Sequence, residues 1–301
     1  MRHGALAAMA LALAGCANLP HETRPTPALS VFVVAHPDDW QLFMNPDAFH
    51  AMNEPGQKAV FVHVTAGDAG RGVGGEPTPY YLAREEGALR AIRFMANAAN
   101  ATALGADTKP EAVERAGHQV ARHTYANAVA YFLRLHDGLI VNGNDYQEHP
   151  LALTRLRSGA SAEAKAIDGS ASYAGWSDLV ATLEAVVRSE LSPGTALNIH
   201  IAELDEKRNP GDHPDHRAVA FAMEEVAARL PCARISRHEE YATGDRKLNV
   251  TGVDYLIDVG TWAATASGLS DSHAGSTWEP GHNAWVGRDY QRTQEPRGTC
   301  R

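Results

Sequence analysis

The chain has 301 residues, 44% of them hydrophobic and 21% charged, with a formal net charge of −9. That is an ordinary balance for a globular protein, long enough for one large domain with a sizeable core. The acidic excess argues against a polyanion-binding face, so no nucleic-acid partner is expected.

The N-terminus opens with a short basic region, Met1-Arg2-His3, and a small-residue apolar run from Gly4 to Ala14. Such a run is too short to span a bilayer and fits the apolar part of an export signal. It ends in Leu13-Ala14-Gly15-Cys16, which resembles the lipobox of bacterial lipoproteins. The resemblance implies cleavage before Cys16 and acylation of that cysteine. It also implies a membrane partner through the lipid anchor, at the periplasmic face or outer membrane of the cell envelope. An ordinary signal peptide with an incidental cysteine is the plainer alternative. Residues 1–15 are therefore expected as signal peptide, 16–29 as a tether carrying Pro20, Pro25 and Pro27, and 30–301 as a single domain. In an oxidising compartment Cys232 and Cys300 can pair.

From Ser30 onward strand and helix patterns alternate, which predicts an α/β fold with a mostly parallel sheet. Val31 to Val34 reads as a buried strand, followed at once by Ala35-His36-Pro37-Asp38-Asp39-Trp40. Ligand-binding residues of open α/β sheets gather at the carboxyl ends of strands. His36 and Asp39 can turn towards one cation there, leaving Asp38 as a free base; capping the next helix is the bland alternative. A helix is expected over 39–52, with Pro46 as a possible break. A buried strand over 59–64 runs into the glycine-rich loop Thr65 to Gly72. That loop lacks both the Walker lysine and the GxGxxG order, so no nucleotide site is expected. The helix over 82–98 opens with Arg84-Glu85-Glu86; Arg84 is a candidate for the site, or simply part of a solvated face.

Residues 137–177 are too long for an ordinary connection and are expected as an insertion, either a lid or disordered. Tyr146, Tyr173 and Trp176 in or beside it would stack on sugar faces or pin the loop to the body. A clean amphipathic helix over 178–191 and a buried strand over 196–201 follow. His213-Pro214-Asp215-His216 then opens a helix to about Leu230, with both imidazoles on one face and Pro214 at a tolerated first-turn position. In the tail, 271–301, Trp278, His282 and Trp285 would line a glycan groove or pack on the domain. His63, His118, His123, His136 and His149 match no ligand spacing and are expected in surface or loop roles.

Both His/Asp clusters follow a strand and begin a helix, so a parallel sheet brings them to one edge. Two histidines and a carboxylate with open positions suit catalytic Zn²⁺, and the same set serves non-haem iron. The remaining Asp38, Asp215 and His213 supply the acid/base groups of metal-assisted hydrolysis.

At these residues the sequence resembles the PIG-L/LmbE family of zinc-dependent de-N-acetylases. The family signature is an Ala-His-Pro-Asp-Asp-Glu turn after the first strand and a later His-Pro-Asp-His, matched here by residues 35–39 and 213–216. The resemblance covers about Ser30 to Leu230. It implies a Rossmann-like three-layer fold with a mostly parallel sheet and long loop insertions. It also implies zinc, or another divalent transition metal, on His36, Asp39 and His216. Asp38 would be the general base, His213 would stabilise the oxyanion or protonate the amine, and Asp215 would orient His213. Trp40 stands where the family has glutamate; the job of that carboxylate is missing here or supplied from elsewhere, as from Glu86 or Glu203, or else Trp40 walls the pocket. The substrate-binding candidates are Arg84, Trp40, Trp176, His282 and Trp285. The expected reaction removes the acetyl group from an N-acetylated amino sugar of an extracytoplasmic glycan or glycoconjugate. A zinc amidase for another amide and a glycan-binding surface lipoprotein with a vestigial site are the rivals.

Overall fold

The computed structural model describes residues 27–75, 77–99, 110–230 and 232–296. The expected signal, Cys16 anchor and most of the tether lie outside the described residues. Cys232 takes part in a disulfide, and Cys300, its expected partner, lies outside them too. Among the described residues no helix is long and apolar enough to cross a membrane.

Five parallel strands form the centre: β1 (Ala28–Val34), β2 (Gln57–Thr65), β5 (Ala128–Leu135), β10 (Ala196–Ala202) and β11 (Ala233–His238). Antiparallel strands extend both edges. β4 (His118–Tyr125) and β3 (Glu111–Arg115) add beyond β5, and β12 (Gln291–Gln294) adds beyond β11. The order is β12-β11-β10-β1-β2-β5-β4-β3.

Side chains alternate across this sheet because the strand period is two. Leu29, Val31 and Val33 of β1 pack with α5 (Trp176–Glu190), α6 (Pro214–Ala228) and the short α4 (Leu153–Ser158). Phe32 and Val34 face the other layer, formed by α2 (Asn45–Asn53), α3 (Tyr80–Ala99) and α7 (Gly252–Asp271). Phe32 and Val33 are both at most 1% exposed, so β1 is buried on both faces; each such side chain contributes roughly 1.5–3 kcal/mol. The result is the expected three-layer α/β fold with a mostly parallel sheet.

The expected helix over 39–52 is broken into α1 (Asp39–Phe43) and α2, because Pro46 sits in the first turn of a new helix. Residues 137–177 are not a structureless loop. They form a hairpin of β6 (Leu139–Asn142) and β7 (Asp145–Glu148), then α4, then a second hairpin of β8 (Ala164–Lys165) and β9 (Ser172–Tyr173). The tail adds α7, the short α8 (Pro280–Asn283) and β12. α7 crosses α3 with the backbones touching: a Cβ on Gly268 would lie 2.6 Å from Gly87 Cα, and one on Gly87 would lie 2.9 Å from the Thr265 carbonyl oxygen. Only glycine allows that approach.

Candidate active site

β1 and β10 are neighbours, and the chain leaves them in opposite directions, towards β2 on one side and β11 on the other. Their carboxyl ends therefore open a crevice at a topological switch point. The turn after β1 carries His36 to Asp39, and the loop after β10 carries Asp212 to His216.

Asp39 lies in the first turn of α1, and its Oδ2 accepts the His36 backbone N–H at 2.7 Å. That bond fixes the turn and leaves Oδ1 3.3 Å from His36 Nδ1 and 3.3 Å from His216 Nε2. The two ring nitrogens are 3.1 Å apart. Three donor atoms thus make a nearly regular triangle. Ligands held about 2.0–2.1 Å from a four-coordinate cation would stand about 3.3–3.4 Å apart, so the donor set fits such an ion.

The outer nitrogens face carboxylates, and that of His216 is hydrogen-bonded. His216 Nδ1 meets Asp212 Oδ1 at 2.8 Å and pairs with Glu240 Oε2. His36 Nε2 faces Asp215 Oδ2 at 3.7 Å and Asp137 Oδ2 at 3.8 Å. Asp39, Asp137, Asp212, Asp215 and Glu240 therefore crowd round three imidazoles. Burial alone would lower the His36 imidazole, but the charges of Asp39, Asp215 and Asp137 outweigh it and lift it to about 10. Burial lifts the Glu240 carboxyl to about 7, despite the opposing pull of His216. A buried excess of carboxylates is what a bound cation neutralises, and Asp212 Oδ2 and Asp215 Oδ1 are buried without hydrogen-bond partners.

His213 caps α6, and its Nδ1 accepts the Asp215 backbone N–H at 3.2 Å. The ring proton is therefore on Nε2, 3.9 Å from Asp137 Oδ1. Burial, followed by the nearby imidazoles of His36 and His216, pushes His213 down to about 3. Asp215 meets His213 through its backbone N–H, while its carboxylate accepts Gly138 N–H at 2.6 Å and faces His36. A Cβ on Gly138 would stand 2.4 Å from Asp215 Oδ1, so glycine is required there.

Asp38 pairs with Arg84, whose Nη1 donates to the Gly67 carbonyl at 2.8 Å. Both border a cavity of about 600 Å³ shared with His36, Asp39, His213 and Asp137. Tyr241 and Trp285, stacked at 4.9 Å, and His282 form another wall, and Tyr146 of the β6–β7 hairpin reaches the same cavity.

Four expectations fail. Trp40 does not wall the pocket: it is fully buried, packs on Phe61, and donates its indole N–H to His63 at 3.1 Å. His63 is accordingly a core residue rather than a surface one, lowered to about 4 by burial. Trp176 lies elsewhere, donating to Glu225 at 2.8 Å; Tyr173, buried in the core, takes the second of its two expected roles and pins the segment to the body. Neither Glu86 nor Glu203 replaces the missing glutamate, since Glu86 binds Arg90 and Arg93 while Glu203 binds Arg292. Glu240 is a carboxylate that does reach the site, paired with His216. It was missed together with Asp137, yet each comes within two residues of the end of a parallel strand, β11 and β5.

No curated protein matches the chain. Among solved structures it is similar to N,N'-diacetylchitobiose deacetylase from Pyrococcus horikoshii (15% identity, 84% of this chain and 75% of that chain covered, TM-score 0.44). It is also similar to the 4-carboxy-2-hydroxymuconate hydratase GalB of Pseudomonas putida (12% identity, 86% and 82% covered, TM-score 0.40). A third is a conserved protein of Thermus thermophilus (14% identity, 89% and 92% covered, TM-score 0.40). These likenesses are distant, and the two named activities differ. A family model is matched over residues 31–227, a span that holds both His/Asp clusters, and the chain belongs to that family: PIG-L, GlcNAc-PI de-N-acetylase.

Proposed function

We propose that this protein is a zinc-dependent hydrolase that removes the acetyl group from an N-acetylated amino sugar of an extracytoplasmic glycan or glycoconjugate. The observation that carries this reading is the donor triangle of His36, Asp39 and His216, 3.1 to 3.3 Å on a side, with Asp38 and His213 on the same cavity. Two imidazoles and a carboxylate, with carboxylates on the outer nitrogen of His216, suit zinc. Membership of a de-N-acetylase family supports the amide bond and the amino sugar. Zinc held by these residues would supply Lewis acidity towards the acetyl carbonyl and the attacking water.

The chain's own groups do the rest. Asp38, held at the cavity by Arg84, accepts a proton from water as the water oxygen bonds to the acetyl carbon. His213 donates Nε2–H to the carbonyl oxygen as charge gathers there, and its imidazole is neutral because its pKa is held near 3. Asp38 then passes the proton to the departing nitrogen, the C–N bond breaks, and acetate and a free amine leave. The apolar faces of Tyr241 and Trp285 hold the sugar ring.

Acetate release from a panel of N-acetylated sugars tests the reading. Bound zinc, activity lost on chelation and restored by zinc, and no activity in Asp38→Asn are the expected results. Zinc without acetate from any sugar would shift the substrate to another amide, and glycan binding unchanged in Asp38→Asn with neither form active would mean a lectin. The segment Leu13 to Cys16 supports a lipid-anchored location in the cell envelope. Metabolic labelling with a fatty-acid analogue should mark the wild type and not Cys16→Ser.

A further inference from the structure

A second group of histidines lies outside this site. His200 comes from β10, His238 ends β11, and Asp47 sits in the first turn of α2. His200 Nδ1 and His238 Nε2 are 3.1 Å apart, and Asp47 Oδ2 stands 3.4 Å from the first and 3.8 Å from the second. The arrangement repeats that of the active site: one histidine offers Nδ1, the other Nε2, and a carboxylate oxygen completes the triangle. The repetition extends outward. The Asp47 oxygen of the triangle, Oδ2, also accepts from Gln291 Nε2 at 2.9 Å, while the outer nitrogen of His238, Nδ1, faces Asp289 Oδ1 at 3.1 Å, as that of His216 faces Asp212. Such partners on the outer atoms are what metal ligands need to hold their orientation. The His200 ring is further fixed by stacking on Phe32 at 4.3 Å.

We propose that Asp47, His200 and His238 form a second site for a divalent transition metal, separate from the catalytic one. Donors about 2.0–2.2 Å from a four-coordinate ion would stand about 3.3–3.6 Å apart, close to the sides of this triangle. Two imidazoles and one carboxylate select zinc-like ions over calcium and magnesium, which take oxygen ligands. Asp47 and His200 also border a cavity of about 310 Å³. An ion there ties α2 to β10 and β11, and through Asp289 to the approach of β12. His238 is two residues from Glu240, so the same clamp steadies the carboxylate behind His216.

The test is zinc per chain, measured by mass spectrometry on the full chain after zinc loading and gel filtration. Wild type should hold two zinc ions, Asp47→Asn one, His36→Ala one and the double variant none. Competition with a chromophoric chelator should show two release phases in wild type, a readout that needs no variant. One zinc in wild type that His36→Ala loses and Asp47→Asn keeps, or two zinc ions retained by Asp47→Asn, overturns the site and leaves a hydrogen-bonded His–Asp cluster. Should Asp47→Asn fail to fold, zinc retained by His36→Ala supports the site and complete loss overturns it. Zinc lost from Asp47→Asn but not from His36→Ala would spare this site and remove the metal from the proposed hydrolase.

Discussion

Two triangles of the same three donors stand in one sheet, and their surroundings differ. His36, Asp39 and His216 lie beyond the carboxyl ends of β1 and β10, beside a cavity of about 600 Å³ with Asp38, His213 and Asp137 on its wall. Asp47, His200 and His238 lie against the strands themselves, with Asp289 as the further carboxylate. In the function proposed, the first triangle has a base, a neutral imidazole donor and room for substrate; the second has a hydrogen-bonded frame. On the two proposals made above, donor identity selects a cation in both places, while the groups beside the donors decide whether chemistry follows.

Removing a neighbour rather than a ligand breaks the comparison most sharply. Asp38→Asn should lower kcat by about a thousandfold, the range for losing a general base, while zinc content is unchanged. Equal loss of zinc and activity would make Asp38 a ligand instead. His213→Gln comes next, at about a hundredfold in kcat with little change in KM, because its Nε2–H acts on charge that develops only in the transition state. A purely structural role for the His213 cap would lower the melting temperature without that split between kcat and KM.

The third expected effect concerns the frame of the second triangle. Asp258 on α7 accepts from Asn45 Nδ2 at 3.0 Å and from Gly287 N–H at 2.6 Å. Asn45 is two residues before Asp47 and Gly287 two before Asp289, so Asp258 braces both sides. Burial pushes its carboxyl from the ordinary 3.8 up to about 7. The folded state thus binds a proton between about pH 4 and 7 that the unfolded state has released, and the associated stability falls as pH rises through that window. At about 1.4 kcal/mol per unit, the advantage of wild type over Asp258→Asn should shrink by about 3 kcal/mol between pH 4.5 and 7.5. Chemical denaturation at both pH values measures it; a constant difference would mean that Asp258 stays ionised.

How much of this was readable beforehand follows the same division. The six motif residues were legible because two buried strands each run directly into a short His/Asp turn, and local sequence shows both strand and turn. Asp137 and Glu240 were not, because nothing local links them to His36 or His216. Only the sheet order places the end of β11 beside that of β10, and the end of β5 one strand beyond β1, across β2. The second triangle was hidden for the same reason, since a turn, a mid-strand histidine and a strand end share no spacing. Trp40 was misread because a turn residue after β1 can face either the cavity or the core, and sequence does not say which. α7 escaped notice because its pattern is weak. Gly260 and Gly268 face α3, where bulk is excluded, while Val253 and Leu256 are exposed.

The smallest effect separates the sites by substrate. Trp285 stacks on Tyr241 at 4.9 Å and donates its indole N–H to the Tyr241 carbonyl at 3.2 Å, so the two rings hold one another in place on the cavity wall. Among the described residues, the cavity at the second triangle is lined by no tryptophan, tyrosine or phenylalanine. An aromatic contact with a sugar face is worth about 1 kcal/mol, so Trp285→Ala should raise KM for an N-acetylated sugar about fivefold and leave kcat nearly unchanged. A small N-alkylacetamide has no ring to stack, and its kcat/KM should be indifferent to the change. Trp285→Phe, which keeps a ring but loses the indole donor, should recover most of the KM. If the sugar and the acetamide suffer alike, the wall is shaping the catalytic groups rather than reading a pyranose. The preference for a sugar would then have to come from elsewhere on the cavity, with Tyr146 of the β6–β7 hairpin the next ring to remove.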